Sequence, residues 1–70
     1  MTIYDMEGYD HDAAVREGWA IDAFGSIITI DHARFASDSH AQQWVFDRAN
    51  LGNALAKQAV TEAAKRRMLR

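Results

Sequence analysis

Seventy residues with a net charge of −2, 49% apolar side chains and no cysteine hold one domain at most, with a small core and no disulfide or thiolate chemistry. A chain this short buries only roughly 60% of its unfolded surface, so it gains from an outside staple such as a metal or a second subunit. The N-terminus lacks a basic-then-apolar signal pattern, and no apolar run approaches membrane-spanning length, so no membrane partner is expected, and the absence of cysteine suits a reducing cytoplasm.

In chain order, residues 1–9 have no clear period, and Ile3, Tyr4, Met6 and Tyr9 suggest a docked arm or an extra strand. Asp10 is placed to cap a short helix over about residues 11–17, with Gly18 at its C-terminal cap. Residues 17–31 then read as a β-hairpin closed by Gly25-Ser26 in a type II′ turn. That register sets Phe24 opposite Ile27, Ile21 opposite Ile30 and Trp19 opposite His32. Alternation then sends Trp19, Ile21, Ala23, Ile28 and Ile30 to the core. Ala20, Asp22, Phe24, Ile27, Thr29 and Asp31 go to the opposite face.

Ser37 or Asp38 caps a helix running to about Asn50, with Phe35 as a staple. Ala41, Trp44, Val45, Arg48 and Ala49 share one side of it, and Phe46 points away. Gly52 ends this helix and Asn53 caps a last one over about 54–67, whose inner stripe is Leu55, Ala56, Ala59, Val60 and Ala63. The fold class is therefore α+β, a two-stranded antiparallel hairpin against three helices in the order α-β-β-α-α. A thin core and two open strand edges predict a homodimer.

Catalytic chemistry finds little footing. Asp10-His11-Asp12 and Asp38-Ser39-His40 place carboxylates beside imidazoles, yet no histidine pair has the i, i+4 spacing of a helical zinc site. Ser37 and Ser39 near His40 are explained by capping, and Asp22 with Asp31 lack a cleft that would split their pKa values. There is no phosphate-cradling glycine loop. The sequence therefore predicts no enzyme activity, no metal and no cofactor.

Charge is unevenly placed. Residues 1–47 carry nine acids and two bases, residues 48–70 one acid and six bases. Such asymmetry marks either an electrostatic partner surface or neutralisation within the fold or between subunits. Two binding surfaces are legible. On the first, Phe24 and Ile27, with Thr29 beside them and Asp22 and Asp31 as rim, form an apolar patch for protein docking, with Asp5, Glu7, Asp10 and Asp12 steering approach to a basic partner. On the second, Lys57, Lys65, Arg66, Arg67 and Arg70 could meet nucleic-acid phosphates. The basic cluster, however, lies at the far end of its helix from where a recognition helix reads bases.

The segments Glu17-Gly18-Trp19-Ala20-Ile21, Gly25, Ile28-Thr29-Ile30-Asp31 and Phe35-Ala36-Ser37-Asp38, with Ala41, Val45 and Gly52, resemble a group of small uncharacterised bacterial and phage proteins with a Gly-Trp strand, an Ile-Asp strand end and a Ser-Asp-capped helix. The resemblance spans roughly residues 13–60 and brings no catalytic residues with it. In size, acidity and lack of catalytic apparatus the chain is also similar in type to phage-encoded inhibitors of host defence, including anti-CRISPR proteins. That likeness implies a non-enzymatic protein that binds a host complex, such as a CRISPR effector, and blocks it with acidic groups. The alternative is a small DNA-binding regulator that uses the basic C-terminal helix.

Overall fold

A computed structural model describes residues 9–69. Along them run α1 (His11–Glu17), β1 (Trp19–Ile21), β2 (Ile27–Thr29), α2 (Asp38–Asn50) and α3 (Ala54–Met68). The architecture is α+β, a two-stranded antiparallel sheet with three helices in the order α-β-β-α-α. The arm or strand expected over residues 1–9 lies outside the described residues except for Tyr9.

The helix ends fall where short polar side chains satisfy orphan amides. Asp10 accepts from the Ala13 N–H, Ser37 from His40 and Asn53 from Ala56. Of the two caps open for α2, Ser37 is the one used, and Asp38 becomes the first helical residue. Its carboxylate favours that end of the helix dipole and also reaches β2, where Oδ1 accepts the Thr29 N–H at 2.9 Å.

The hairpin corrects the sequence reading. Trp19 pairs with Thr29, Ala20 with Ile28 and Ile21 with Ile27, three residues out of the expected register. The connection is Ala23-Phe24-Gly25 rather than Gly25-Ser26. It lies between Asp22 and Ser26, which bond at 2.9 Å through the Asp22 N–H, while the Gly25 N–H donates to the Asp22 carbonyl at 3.1 Å. Gly25 is left-handed at φ 86°, the mark of a three-residue hairpin loop. The Asp22 carboxylate locks this choice by accepting both the Phe24 and Ser26 N–H groups at 2.9 Å. An odd shift reverses the faces of a strand. Ile27 and Thr29 therefore enter the core with Trp19 and Ile21, and Ile30 is turned out to 46% exposure. His32, expected opposite Trp19, lies beyond the strand and is exposed.

The core joins Ala14, Trp19, Ile21, Ile27, Phe35, Ala41, Val45, Ala56, Ala59 and Ala63. Five of these ten are alanine, so α3 approaches closely but buries little area per residue. Trp19, Phe35 and Val45 are the largest fully buried side chains. Phe35, expected as a staple, lies two residues before the Ser37 cap rather than one, and packs edge-on against His40 and Trp44 instead of closing an N′–N4 contact. Phe46, as expected from its position on the helix, is 42% exposed. Among the described residues no helix is long and apolar enough to cross a membrane.

Side chains bond some of the outward backbone groups on both sheet edges. In this register Trp19, Ile21, Ile27 and Thr29 direct their backbone polar groups away from the partner strand. On β1, the Ile21 N–H donates to the Tyr9 hydroxyl at 3.1 Å, and Arg66 donates to the Ile21 carbonyl at 3.1 Å. On β2, Gln42 donates to the Ile27 carbonyl at 3.0 Å, and Asp38 takes the Thr29 N–H. Each group so bonded is one fewer for another strand to pair with.

Candidate interaction surfaces

The hairpin tip is held from the rear by the last turns of α3. Arg66 donates through one nitrogen to the Ile21 and Asp22 carbonyls, both at 3.1 Å. Its Nε donates to Glu62 at 2.9 Å, which fixes the guanidinium in place, and its cationic carbon lies 5.7 Å from the Tyr9 ring centroid. Arg67 donates to the Gly25 carbonyl at 2.7 Å. Gly25 is packed so closely that a Cβ would stand 2.4 Å from the Ala63 carbonyl oxygen and 2.6 Å from Arg67 Cγ. The tip is thus pinned by Asp22 inside the loop and by two arginines behind it.

In front of this clamp Phe24 is 60% exposed and Ala23 is exposed. Tyr9 bonds the Ile21 amide and stacks on Trp19, which brings the start of α1, with exposed Asp10 and Asp12, toward the tip end of the hairpin. Asp31 sits at the other end. Its N–H bonds the Gly18 carbonyl, and its Oδ1 accepts the Ala33 N–H. Asp22 and Asp31 therefore do not rim one patch. Ile27 and Thr29 leave the docking surface altogether, since both are buried. Asp5, Glu7 and Arg70 lie outside the described residues.

The basic residues of α3 divide. Arg66 and Arg67 are engaged with hairpin carbonyls, while Lys57 and Lys65 are exposed. An open apolar groove on the outer flank of α3 is lined by Val60, Thr61, Ala64, Lys65 and Met68. His11, His32 and His40 are all exposed. His11 Nδ1 meets the Tyr9 hydroxyl at 2.8 Å, and His40 Nδ1 accepts the Ala36 N–H at 3.1 Å. Among the described residues no group of three or more histidine, cysteine, aspartate or glutamate side chains is placed to hold a metal ion.

A further cluster escaped the sequence reading. Arg48 stacks on Trp44 with its cationic carbon 4.5 Å from the ring centroid, and Arg34 approaches the same ring at 5.7 Å. Trp44 and Arg48 are four apart on α2, so their contact follows from helix geometry. Arg34 arrives from the β2–α2 connection, brought there by burial of its neighbour Phe35, and nothing local in the sequence signals that. The ion pair formed among the described residues is Arg66–Glu62, so the acidic and basic halves do not neutralise each other through direct pairs there.

Comparison with family models, curated proteins and solved structures returns no match to this chain.

Proposed function

We propose that this chain is a non-enzymatic interaction protein of the phage or mobile-element kind, which binds and inhibits a host protein complex, a CRISPR effector being the favoured target class. The observation that carries the reading is the hairpin tip, where an exposed Phe24 is presented on a loop held by Asp22, Arg66 and Arg67. An aromatic anchor on a rigid support loses little conformational freedom on binding, which is what an interface centre needs. Asp10 and Asp12, at the same end, add negative charge that steers the tip toward a basic surface. The contact set is Phe24 with Ala23 at the centre and Asp10 and Asp12 at the rim. A DNA-binding role for α3 has less support, because Arg66 and Arg67 are occupied by the hairpin.

The test is phage plating on bacterial strains that each carry one active CRISPR effector. Expression of the chain restores plating of a targeted phage on at least one strain, and the purified effector binds the chain at fixed stoichiometry after nuclease treatment. Phe24→Asp, checked for native circular dichroism, abolishes both effects. Restoration by Phe24→Asp equal to wild type removes the tip from the contact. Failure of the wild-type chain on every strain, with no nuclease-resistant complex, removes the inhibitor reading.

A further inference from the structure

Two guanidiniums are gathered on one half-buried indole at the surface. The cationic carbon of Arg48 lies 4.5 Å from the Trp44 ring centroid. That of Arg34 lies 5.7 Å from the same centroid and 5.9 Å from that of Phe35. The fold fixes all three side chains. Trp44 meets Phe35 edge-on at 5.4 Å, and Phe35 is 1% exposed. Arg48 follows Trp44 by four residues on α2, which stacks the pair. The Arg34 stem passes over Gly18, where a Cβ would stand 3.6 Å from Arg34 Cδ and 3.3 Å from the Phe35 ring. Among the described residues neither guanidinium donates a hydrogen bond or enters an ion pair, whereas Arg66 and Arg67 are engaged with hairpin carbonyls. Like charges brought to one ring repel each other. Their N–H donors stay open to an anion.

We infer that Arg34, Trp44 and Arg48 form a binding site for single-stranded nucleic acid. The guanidiniums take phosphate oxygens, which their planar forks fit bidentately. The indole and the guanidinium planes offer stacking surfaces to bases, whose faces are open in an unpaired strand. The indole beside the charges favours a strand over an acidic peptide, because a base has a π-face to set against it and a carboxylate has none. The chain carries a net charge of −2, so contact is confined to these two cations and to about two phosphates. The site belongs to the β2–α2 connection and to α2. It is separate from the hairpin tip and from the basic end of α3, and it stands independently of the inhibitory role proposed above.

The test is titration of the full chain with a thymidine 12-mer, followed by anisotropy of an end-labelled strand and by tryptophan emission with an unlabelled one. Trp19 is fully buried, so quenching by stacked bases reports Trp44. The wild type binds in 50 mM NaCl with quenching, and a duplex of the same length leaves the emission unchanged. Log affinity falls against log salt with a slope of about −1.4, two phosphates on a single strand, so binding weakens about sevenfold between 50 and 200 mM NaCl. Arg34→Gln/Arg48→Gln weakens binding about tenfold or more and removes the slope. Both arginines are exposed, and the variant keeps native circular dichroism. Lys65→Gln, on α3, stays within about twofold of wild type. Absence of binding at millimolar wild-type protein in 50 mM NaCl overturns the inference. So does binding without quenching, a salt slope that the arginine variant keeps, or an equal loss in Lys65→Gln. Tighter binding of polyglutamate than of the strand also overturns it and assigns the cluster to an acidic protein partner.

Discussion

Replacing Gly25 by alanine separates two costs that act together at the hairpin tip. The first is conformational. Gly25 has φ 86°, and an L-residue in the left-handed region costs about 1–2 kcal/mol. The second is steric. The new Cβ meets the Ala63 carbonyl oxygen at 2.4 Å and the Arg67 backbone nitrogen at 3.0 Å, both parts of the α3 backbone that cannot swing aside. Relief requires the tip to lift from α3, at about 1–3 kcal/mol by analogy with overpacked cores. Lifting also weakens the Arg67 bond to the Gly25 carbonyl. Together the change costs about 2–5 kcal/mol, against a total stability of about 3.5–10 kcal/mol for a domain of this size. At about 4–8 °C per kcal/mol, thermal unfolding followed by circular dichroism moves down by about 8–40 °C. Gly52→Ala is the internal control. Gly52 has φ 93°, but a Cβ there meets nothing within 4 Å, so it carries the conformational cost alone, about 1–2 kcal/mol. The excess loss at Gly25 over Gly52 measures the docking of the tip on α3. Equal losses at the two positions would refute the clamp.

Two further substitutions test the register and the rear support. Ile27→Ala, at a position 3% exposed, costs about 2–5 kcal/mol in denaturant unfolding, whereas Ile30→Ala, at 46% exposure, changes stability by less than about 1 kcal/mol. The reverse ranking would restore the two-residue turn and the opposite β2 face. Arg66→Gln removes the guanidinium from the Ile21 and Asp22 carbonyls and lowers stability by about 1–3 kcal/mol. Hydrogen exchange at the Phe24 and Gly25 amides quickens more than in the helix cores, and unchanged exchange at the tip would mean that Arg66 is not what holds it.

Local chemistry alone determined the helices. Asp10, Ser37 and Asn53 each satisfy an amide three residues onward, and capping of this kind needs no partner beyond the next turn. The α-β-β-α-α order and the alanine stripe of α3 were legible for the same reason. The hairpin register was not. Gly25 serves equally as the first residue of a two-residue loop or the last of a three-residue loop, and the choice rests on the Asp22 carboxylate and on the fit of a bare glycine against Ala63 and Arg67, 38 and 42 positions away. That choice moved Ile27 and Thr29 from a presumed docking face into the core. Tertiary structure likewise turned Arg66 and Arg67 from candidate phosphate ligands into hairpin supports and joined Arg34 to Trp44. Capping and periodicity act over one turn of chain, which a sequence displays directly. Strand register and cation placement depend on groups far apart in sequence, and only the folded chain brings those together.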